Sequence, residues 1–312
     1  MKKLLPILGV VVLWPAAASW AQLAPPNAAG VTMGHVHIVA RDVVAEKKVW
    51  VGLGGAPISI DGTDVIKFPG IFIFISQGVP AYSQGPASGA QRIMGEFGPE
   101  REEAEGRPGP PARTWTVVPA GANNEGNVLS HVGFRVQPGK GIVEKMQAMG
   151  LRVAINDARY PDEAEILSTE NMRIATNNAP ASQKEMIVAD LIQFDLPRYS
   201  RRRALAWYAK LFGVKALPGG EGMYADMPGL PHGLAFGREV GSPDAPKPSM
   251  GHTLDHIGFE VANLEAFCKK LEGMGILFEY PYSKTRTKSF ASAAIVDPWG
   301  AFIELTEGLS RF

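Results

Sequence analysis

The sequence has little cysteine, no excess of charge of either sign and few long apolar stretches. Its 312 residues include one cysteine, Cys268, which excludes an intramolecular disulfide, so stability must come from packed cores. Lysine and arginine together number 31, as do aspartate and glutamate, and this balance argues against a nucleic-acid-binding surface. A chain of this length forms about two domains of average size.

One apolar run stands out, at the start of the chain. Residues 1–21 have a basic start at Lys2 and Lys3, then an apolar run, and then small residues at Ser19 and Ala21. This order is typical of a cleavable signal peptide. The run is too short, and too interrupted by proline, to predict a membrane-spanning helix. We therefore expect an exported protein, periplasmic or secreted, without a membrane span.

A β-α-β-β-β pattern occurs four times along the chain, and we call the copies modules one to four. Modules one, two and four each begin with a histidine and close their helix with a glycine at the same interval. The intervals run from His35 to Gly54, from His131 to Gly150 and from His256 to Gly275. Module three begins at Leu191 and has a longer junction between strand and helix. Repeated spacing of this kind predicts a repeated structural unit.

The alternation of residues along each strand predicts which face is buried beneath the helix. Ile257 and Phe259 point to the helix side, so His256 must point to the opposite face, into the hollow of the sheet. Glu304 alternates with apolar neighbours in the last strand and should face the same hollow. The same alternation directs His35 into the hollow of its own sheet.

These segments carry a family resemblance. The motifs "HVHIVARD", "HVGFRV", "LDHIGFEV" and above all "DPWGAFIELTEG" resemble the vicinal oxygen chelate superfamily, which contains glyoxalases, bleomycin resistance proteins and type I extradiol dioxygenases. The resemblance implies an α+β fold in which four βαβββ modules pair into two glyoxalase-like curved-sheet (half-barrel) domains.

The predicted domains follow the order of the modules. Residues 31–180 would form the first domain, from modules one and two, with a flexible insert at 78–127 that is rich in glycine, proline and charge. Residues 186–309 would form the second domain, from modules three and four. A pairing of module one with module four is the alternative left open.

The resemblance also implies metal ligands at first-strand and last-strand positions. Four residues at such positions can bind a metal: His35, His131, His256 and Glu304. Leu191, Phe74 and Ala175 occupy other such positions and cannot. If modules one and four pair, His35, His256 and Glu304 form a set of two histidines and one carboxylate, which suits Fe(II), Mn(II) or Zn(II).

Other candidates lie near these positions. The second strand of module four carries Tyr280, Tyr282 and Lys284, and Tyr282 is the candidate catalytic proton donor. His37 shares a face with His35 and is a candidate acid/base or supporting group.

The resemblance implies a metalloenzyme that acts on a small molecule with adjacent oxygens, of the dioxygenase or lyase/isomerase type, and the predicted signal peptide adds that it is exported. The alternative is a metal-free protein that binds or sequesters a small molecule, as bleomycin resistance proteins do. We expect a monomer or a homodimer.

The export prediction can be tested directly. Cleavage after Ala21 predicts that the protein from a secreting host begins at Gln22, which intact-mass measurement will detect. Uncleaved protein retained in the cytosol would contradict it.

Overall fold

The fold is a computed structural model that describes residues 23–78, 124–197, 200–219, 223–237 and 246–312. The predicted signal peptide and most of the predicted insert lie outside these ranges, so both stay predictions. Among the described residues, no helix has the length and apolar character needed to cross a bilayer.

Each repeat forms a strand, a helix and further strands. Module one comprises β1 Val31–Ala40, α1 Val43–Leu53, β2 Ala56–Ile60, β3 Thr63–Phe68 and β4 Ile71–Gln77. Module two comprises β5 Leu129–Val136, α2 Ile142–Ala148, β6 Arg152–Ile155, β7 Ala164–Leu167 and β8 Arg173–Asn178. Module three comprises β9 Ile187–Asp195, α3 Arg201–Phe212, β10 Tyr224–Met227 and β11 Leu230–Gly237. Module four comprises β12 Leu254–Val261, α4 Leu264–Gly273, β13 Tyr280–Ser283, β14 Ala291–Val296 and β15 Phe302–Glu307, and a 3-10 turn at Leu309–Arg311 follows.

Module three departs from the predicted pattern. Its described part has two strands after the helix, and the expected third is reduced to an isolated bridge between Ala216 and Ala225. The other three modules have the predicted β-α-β-β-β order.

In modules one and four, similar caps at both ends of the helix account for the equal interval between histidine and glycine. Asp42 begins α1 by accepting a hydrogen bond from the Ala45 amide, and Asn263 begins α4 in the same way through Ala266. Gly54 then ends α1 with φ 114°, and Gly275 follows α4 with φ 79°. Glycine adopts this left-handed conformation without the steric cost that a Cβ brings, so it fixes where the helix stops.

The strands form two curved mixed sheets. The eight-stranded sheet has the order β13-β14-β15-β12-β1-β4-β3-β2, so it joins module four to module one. The seven-stranded sheet has the order β10-β11-β9-β5-β8-β7-β6 and joins module three to module two. The α+β fold of two curved-sheet units is confirmed. The predicted pairing of modules one with two and three with four is wrong. One sheet joins module one to module four, and the other joins module two to module three.

Modules that are consecutive in sequence meet instead on the helix side. Trp50 of α1 packs against Phe134 of β5, with ring centroids 6.1 Å apart. Phe212 of α3 packs against Phe259 of β12 at 4.8 Å and against Phe267 of α4 at 6.1 Å. These residues belong to one apolar core that contains side chains from both sheets. Because the helices cover this side, the opposite, concave face of each sheet is left for a ligand.

A buried hydrogen bond joins module three to the turn between β14 and β15. Tyr208 of α3 donates from its hydroxyl to Asp297 at 2.9 Å, and the same carboxylate accepts from the Trp299 and Ala301 amides at 2.9 and 2.7 Å. Burial raises the pKa of Asp297 to about 6, although these donors oppose the shift. The tyrosine therefore stabilises a carboxylate that has no access to water.

We expect Tyr208→Phe to lower the free energy of unfolding by about 1–3 kcal/mol, because it leaves a buried acceptor with one donor fewer. Between its ordinary pKa of 3.8 and about 6, Asp297 binds its proton more tightly in the folded state, so its contribution to stability falls as pH rises through this window. The hydroxyl favours the ionised form, so the loss should be larger at pH 8 than at pH 5.

Urea denaturation at the two pH values measures this effect. Tyr224→Phe, in a partly exposed part of β10, is the control. An equal loss at both pH values, or in both variants, would contradict the account.

Candidate metal centre

Three side chains converge in the hollow of the eight-stranded sheet. The Nε2 atom of His35 lies 3.0 Å from Oε2 of Glu304, and Nε2 of His256 lies 3.5 Å from the same oxygen. All three side chains are at most 1% exposed. Within the described part of the chain, this is the only group of three or more His, Cys, Asp or Glu residues close enough to hold one metal ion.

Strand register brings these residues together. β1 runs antiparallel to β12, with His35 opposite Gly258 and His37 opposite His256. β12 runs parallel to β15, with Gly258 opposite Glu304. The pairing therefore places one ligand from module one beside two from module four, although His35 and Glu304 lie near opposite ends of the sequence.

Gly258 provides the space for His35. A Cβ atom at this position would lie 1.9 Å from Cε1 and 2.2 Å from Nδ1 of His35, far inside any allowed contact. The imidazole therefore lies directly over the glycine. The sequence alone did not predict a role for Gly258, because a glycine has no functional side chain. Its role depends on which side chain packs over it in the folded protein.

Two further residues hold the ligands in place. The Tyr280 hydroxyl donates to Oε1 of Glu304 at 3.0 Å, which leaves Oε2 directed at the histidines. Asp255 contacts Nδ1 of His256 at 2.6 Å, which directs Nε2 toward Glu304. A carboxylate on the remote nitrogen of a histidine is the usual support of a metal ligand.

The charges at the cluster are strongly coupled. Burial lowers the pKa of His35, although Glu304 opposes the shift. Burial would also lower the pKa of His256, but the hydrogen bonds and charges of Asp255 and Glu304 outweigh it and raise that pKa to about 9. Burial opposes ionisation of Glu304, yet its bonds to His256 and His35 bring its pKa well below the usual range. Without a metal, a cationic His256 lies between the carboxylates of Asp255 and Glu304.

The donor set fits a divalent cation. Ligand atoms about 2.0–2.2 Å from one metal lie about 3.0–3.5 Å apart in octahedral or tetrahedral geometry, which matches the separations of Glu304 Oε2 from the two imidazole nitrogens. A cation at this point would take the place of the proton on His256. Two imidazoles and one carboxylate suit Fe(II), Mn(II) or Zn(II).

Phe74 occupies the fourth ligand position of this pair of modules. It lies in β4 opposite His37, as Glu304 lies in β15 opposite Gly258, so the two residues are equivalent. Its ring packs 4.9 Å from that of His35. An apolar residue here leaves three protein ligands, so coordination positions stay open for a substrate.

Apolar side chains line the hollow around the cluster: Val65, Phe72, Phe74, Leu309, Ala294, Val296 and Phe302.

A loop between β13 and β14 crosses the mouth of the hollow. Asp61, in the turn between β2 and β3, accepts hydrogen bonds from the Lys288 and Ser289 amides, each at 2.9 Å. Phe290 from this loop lies 6.4 Å from Phe74, and the Arg286 guanidinium lies 4.1 Å from the centre of the Tyr280 ring. The loop thus joins the two edge hairpins of the sheet across the hollow.

Two predicted site residues are not brought to this cluster. His131 lies in β5 of the seven-stranded sheet, where Leu191 and Ala175 occupy the neighbouring ligand positions. Burial and Arg173 lower its pKa to about 4.

Tyr282 packs against the core on the helix side. Strand alternation predicts that Tyr280 and Tyr282 share a face, but an irregularity in the β13–β14 register falls between Tyr280 and Ser283, and Tyr280 is the phenol at the site.

Comparison with known proteins agrees with this architecture. Residues 193–305 match the Glyoxalase/Bleomycin resistance protein/Dioxygenase superfamily. Glyoxalase I from Zea mays has a similar structure, with a TM-score of 0.55 and 9% identity over 90% of this chain and 94% of its own. A putative dioxygenase from Bacillus subtilis has a TM-score of 0.52 and 11% identity over 92% of this chain and 86% of its own. At such identities the likeness is one of fold. No curated protein sequence matches the chain.

We expect Gly258→Ala to reduce metal affinity by about 10-fold or more, since the added methyl group displaces His35, and changes around metal ligands typically have effects of this size. The matched control is Gly133→Ala, at the equivalent position of β5, where the added Cβ would meet the side chain of Leu191 at 2.8 Å. Titration of both variants with Zn(II) measures the effect. Unchanged affinity in a folded Gly258→Ala protein would contradict the geometry.

Proposed function

We propose that this protein is an exported metalloenzyme, because residues 193–305 match the glyoxalase/bleomycin resistance protein/dioxygenase superfamily and the described chain has a fold similar to that of glyoxalase I. It binds Fe(II), Mn(II) or Zn(II) through His35, His256 and Glu304. Its substrate is a small molecule with two adjacent oxygens, and the reaction is of the dioxygenase or lyase/isomerase type.

The observation that carries this proposal is the convergence of two histidine nitrogens from different modules on one oxygen of Glu304. A buried carboxylate is costly unless it is paired or coordinates a metal. Here the backbone, the Gly258 gap and two supporting side chains all direct the ligands to one point. When bound, the metal would act as a Lewis acid and as a template for the substrate oxygens.

The residues around the ligands have separate roles in this proposal. Tyr280 holds the Glu304 carboxylate from one side, and Asp255 holds the His256 ring. Phe74 and Phe302 form apolar walls that exclude water from the reacting oxygens. With Phe74 in the fourth ligand position, substrate oxygens can reach the cation without displacing a protein ligand. This arrangement favours the dioxygenase type, since a face of two histidines and one carboxylate with open positions is typical of non-haem Fe(II) oxygenases.

A metal-free binding protein is the competing function, and one observation favours it. A protonated His256 lies between the carboxylates of Asp255 and Glu304 and is an ion-pair partner for both of them without any metal. In that case the aromatic hollow alone would hold the ligand, and the pair of Glu304 and His256 would only stabilise the fold.

Metal analysis of alanine variants distinguishes the two functions. Protein prepared without chelators and supplied with Fe(II), Mn(II) or Zn(II) should hold about one ion per chain. His35→Ala, His256→Ala and Glu304→Ala should each lose it, because each variant leaves only two protein ligands. His131→Ala should retain it, since His131 lies in the other sheet.

Elemental analysis after gel filtration, with thermal unfolding as a check on folding, gives the result. A wild-type protein that retains no metal would favour the binding protein. Loss of the metal in His131→Ala, with retention in Glu304→Ala, would contradict the proposed ligand set.

A further inference from the structure

His37 is a buried histidine in the same hollow that the ligand set does not use. It is 3% exposed, and its ring centroid lies 4.8 Å from that of His256 and 6.0 Å from that of Phe74. By strand register it occupies in module one the place that Gly258 occupies in module four. The equivalent positions thus differ in function: Gly258 makes room for His35, whereas His37 adds an imidazole beside His256.

Hydrogen bonds fix which nitrogen of His37 carries the proton. The Ser76 hydroxyl donates to the Gly78 carbonyl at 3.0 Å, so its oxygen is left to accept. Nε2 of His37 lies 2.8 Å from this oxygen and must donate to it. In a neutral imidazole the other nitrogen is then an acceptor. Nδ1 of His37 is therefore an acceptor, with its lone pair in the plane of the ring.

This acceptor has no hydrogen-bond partner among the described residues, although it is buried. Burying an acceptor without a donor has a cost in free energy, and native structures rarely leave one so. The cost is removed when a ligand in the hollow brings a hydroxyl group to the nitrogen. A ligand held at His35, His256 and Glu304 would lie beside the same wall, because His37 packs against His256.

We propose that His37 is a substrate-positioning residue whose Nδ1 accepts a hydrogen bond from a hydroxyl group of the bound small molecule. This inference rests on the proposed function and narrows its substrate class. The substrate keeps at least one hydroxyl when it binds through its adjacent oxygens, as a vicinal diol or a hydroxycarbonyl compound does. A simple dicarbonyl compound has no such donor.

Two substitutions separate the two nitrogens of His37. In His37→Gln the amide nitrogen can reach the position of Nε2 and keep the bond to Ser76, but no acceptor remains at the position of Nδ1. In His37→Asn the amide oxygen can take the position of Nδ1, while the bond to Ser76 is lost. If His37 has a purely structural role, it acts through its bond to Ser76, and the glutamine variant should bind ligand better than the asparagine variant. If His37 positions the substrate, the asparagine variant should bind better.

The test measures binding of 4-nitrocatechol, a coloured vicinal diol, to the zinc-loaded protein by absorbance. His37→Gln should weaken binding about tenfold, the effect of one lost hydrogen bond, and His37→Asn should stay within about threefold of the wild type. Both variants should hold as much zinc as the wild type. Wild-type affinity in His37→Gln, or an equal loss in both variants, would overturn the proposal.

Nitrogen NMR of zinc-loaded protein with labelled histidine gives an independent readout. We expect a proton on Nε2 of His37 and none on Nδ1, and a change at Nδ1 alone when 4-nitrocatechol is added. A proton on Nδ1 would overturn the proposal. The proposal would also be overturned if the Nδ1 signal shows a hydrogen bond before ligand is added and does not change afterwards, since an ordered water would then be the partner. A wild-type protein that holds no zinc would instead contradict the proposed function.

Discussion

The antiparallel pairing of β1 with β12 is the contact on which the site depends. It places His35 over Gly258 and His37 beside His256, and so brings a histidine from the first module to a carboxylate in the last strand of the chain. Glu304 is fully buried, and a buried carboxylate without partners would be strongly unfavourable. The two imidazoles, the Tyr280 hydroxyl and the strand register therefore act as one unit. A shift of β1 by one residue would turn both histidines of module one toward the helix side.

The two modules in this sheet are equivalent in backbone but not in chemistry. Tyr280 and Glu304 of module four correspond to Ile58 and Phe74 of module one, because each pair holds the same place in the strand register. One half of the hollow is thus polar and can bind a metal, and the other is apolar and can bind the body of a ligand. The seven-stranded sheet has neither arrangement, since Leu191 and Ala175 fill its ligand positions. The four repeats therefore provide one candidate centre among the described residues.

The sequence was sufficient for features that depend on local periodicity. The repeated intervals and strand alternation predicted the modules, the helix ends at Gly54 and Gly275, and the direction of His35, His256 and Glu304 into a hollow. Module pairing could not be predicted in this way, because every module offers two similar sheet edges and tertiary packing decides which are used. The prediction that Tyr282 is the phenol at the site was wrong for a related reason. An irregularity in the β13–β14 register turns Tyr282 to the helix side, and Tyr280 is the residue that contacts Glu304. Gly258 and Asp255 gain their roles only from the side chains that they contact.

The central claim is that His35, His256 and Glu304 hold one divalent cation between modules one and four. Anomalous diffraction at the metal absorption edge, from crystals grown with Fe(II), Mn(II) or Zn(II), tests it most directly. The account predicts one strong peak within about 2.0–2.3 Å of Nε2 of His35, Nε2 of His256 and Oε2 of Glu304, with Phe74 on the open side. A hollow without a peak, with His256 still paired to Glu304, or a peak beside His131 in the other sheet, would contradict it.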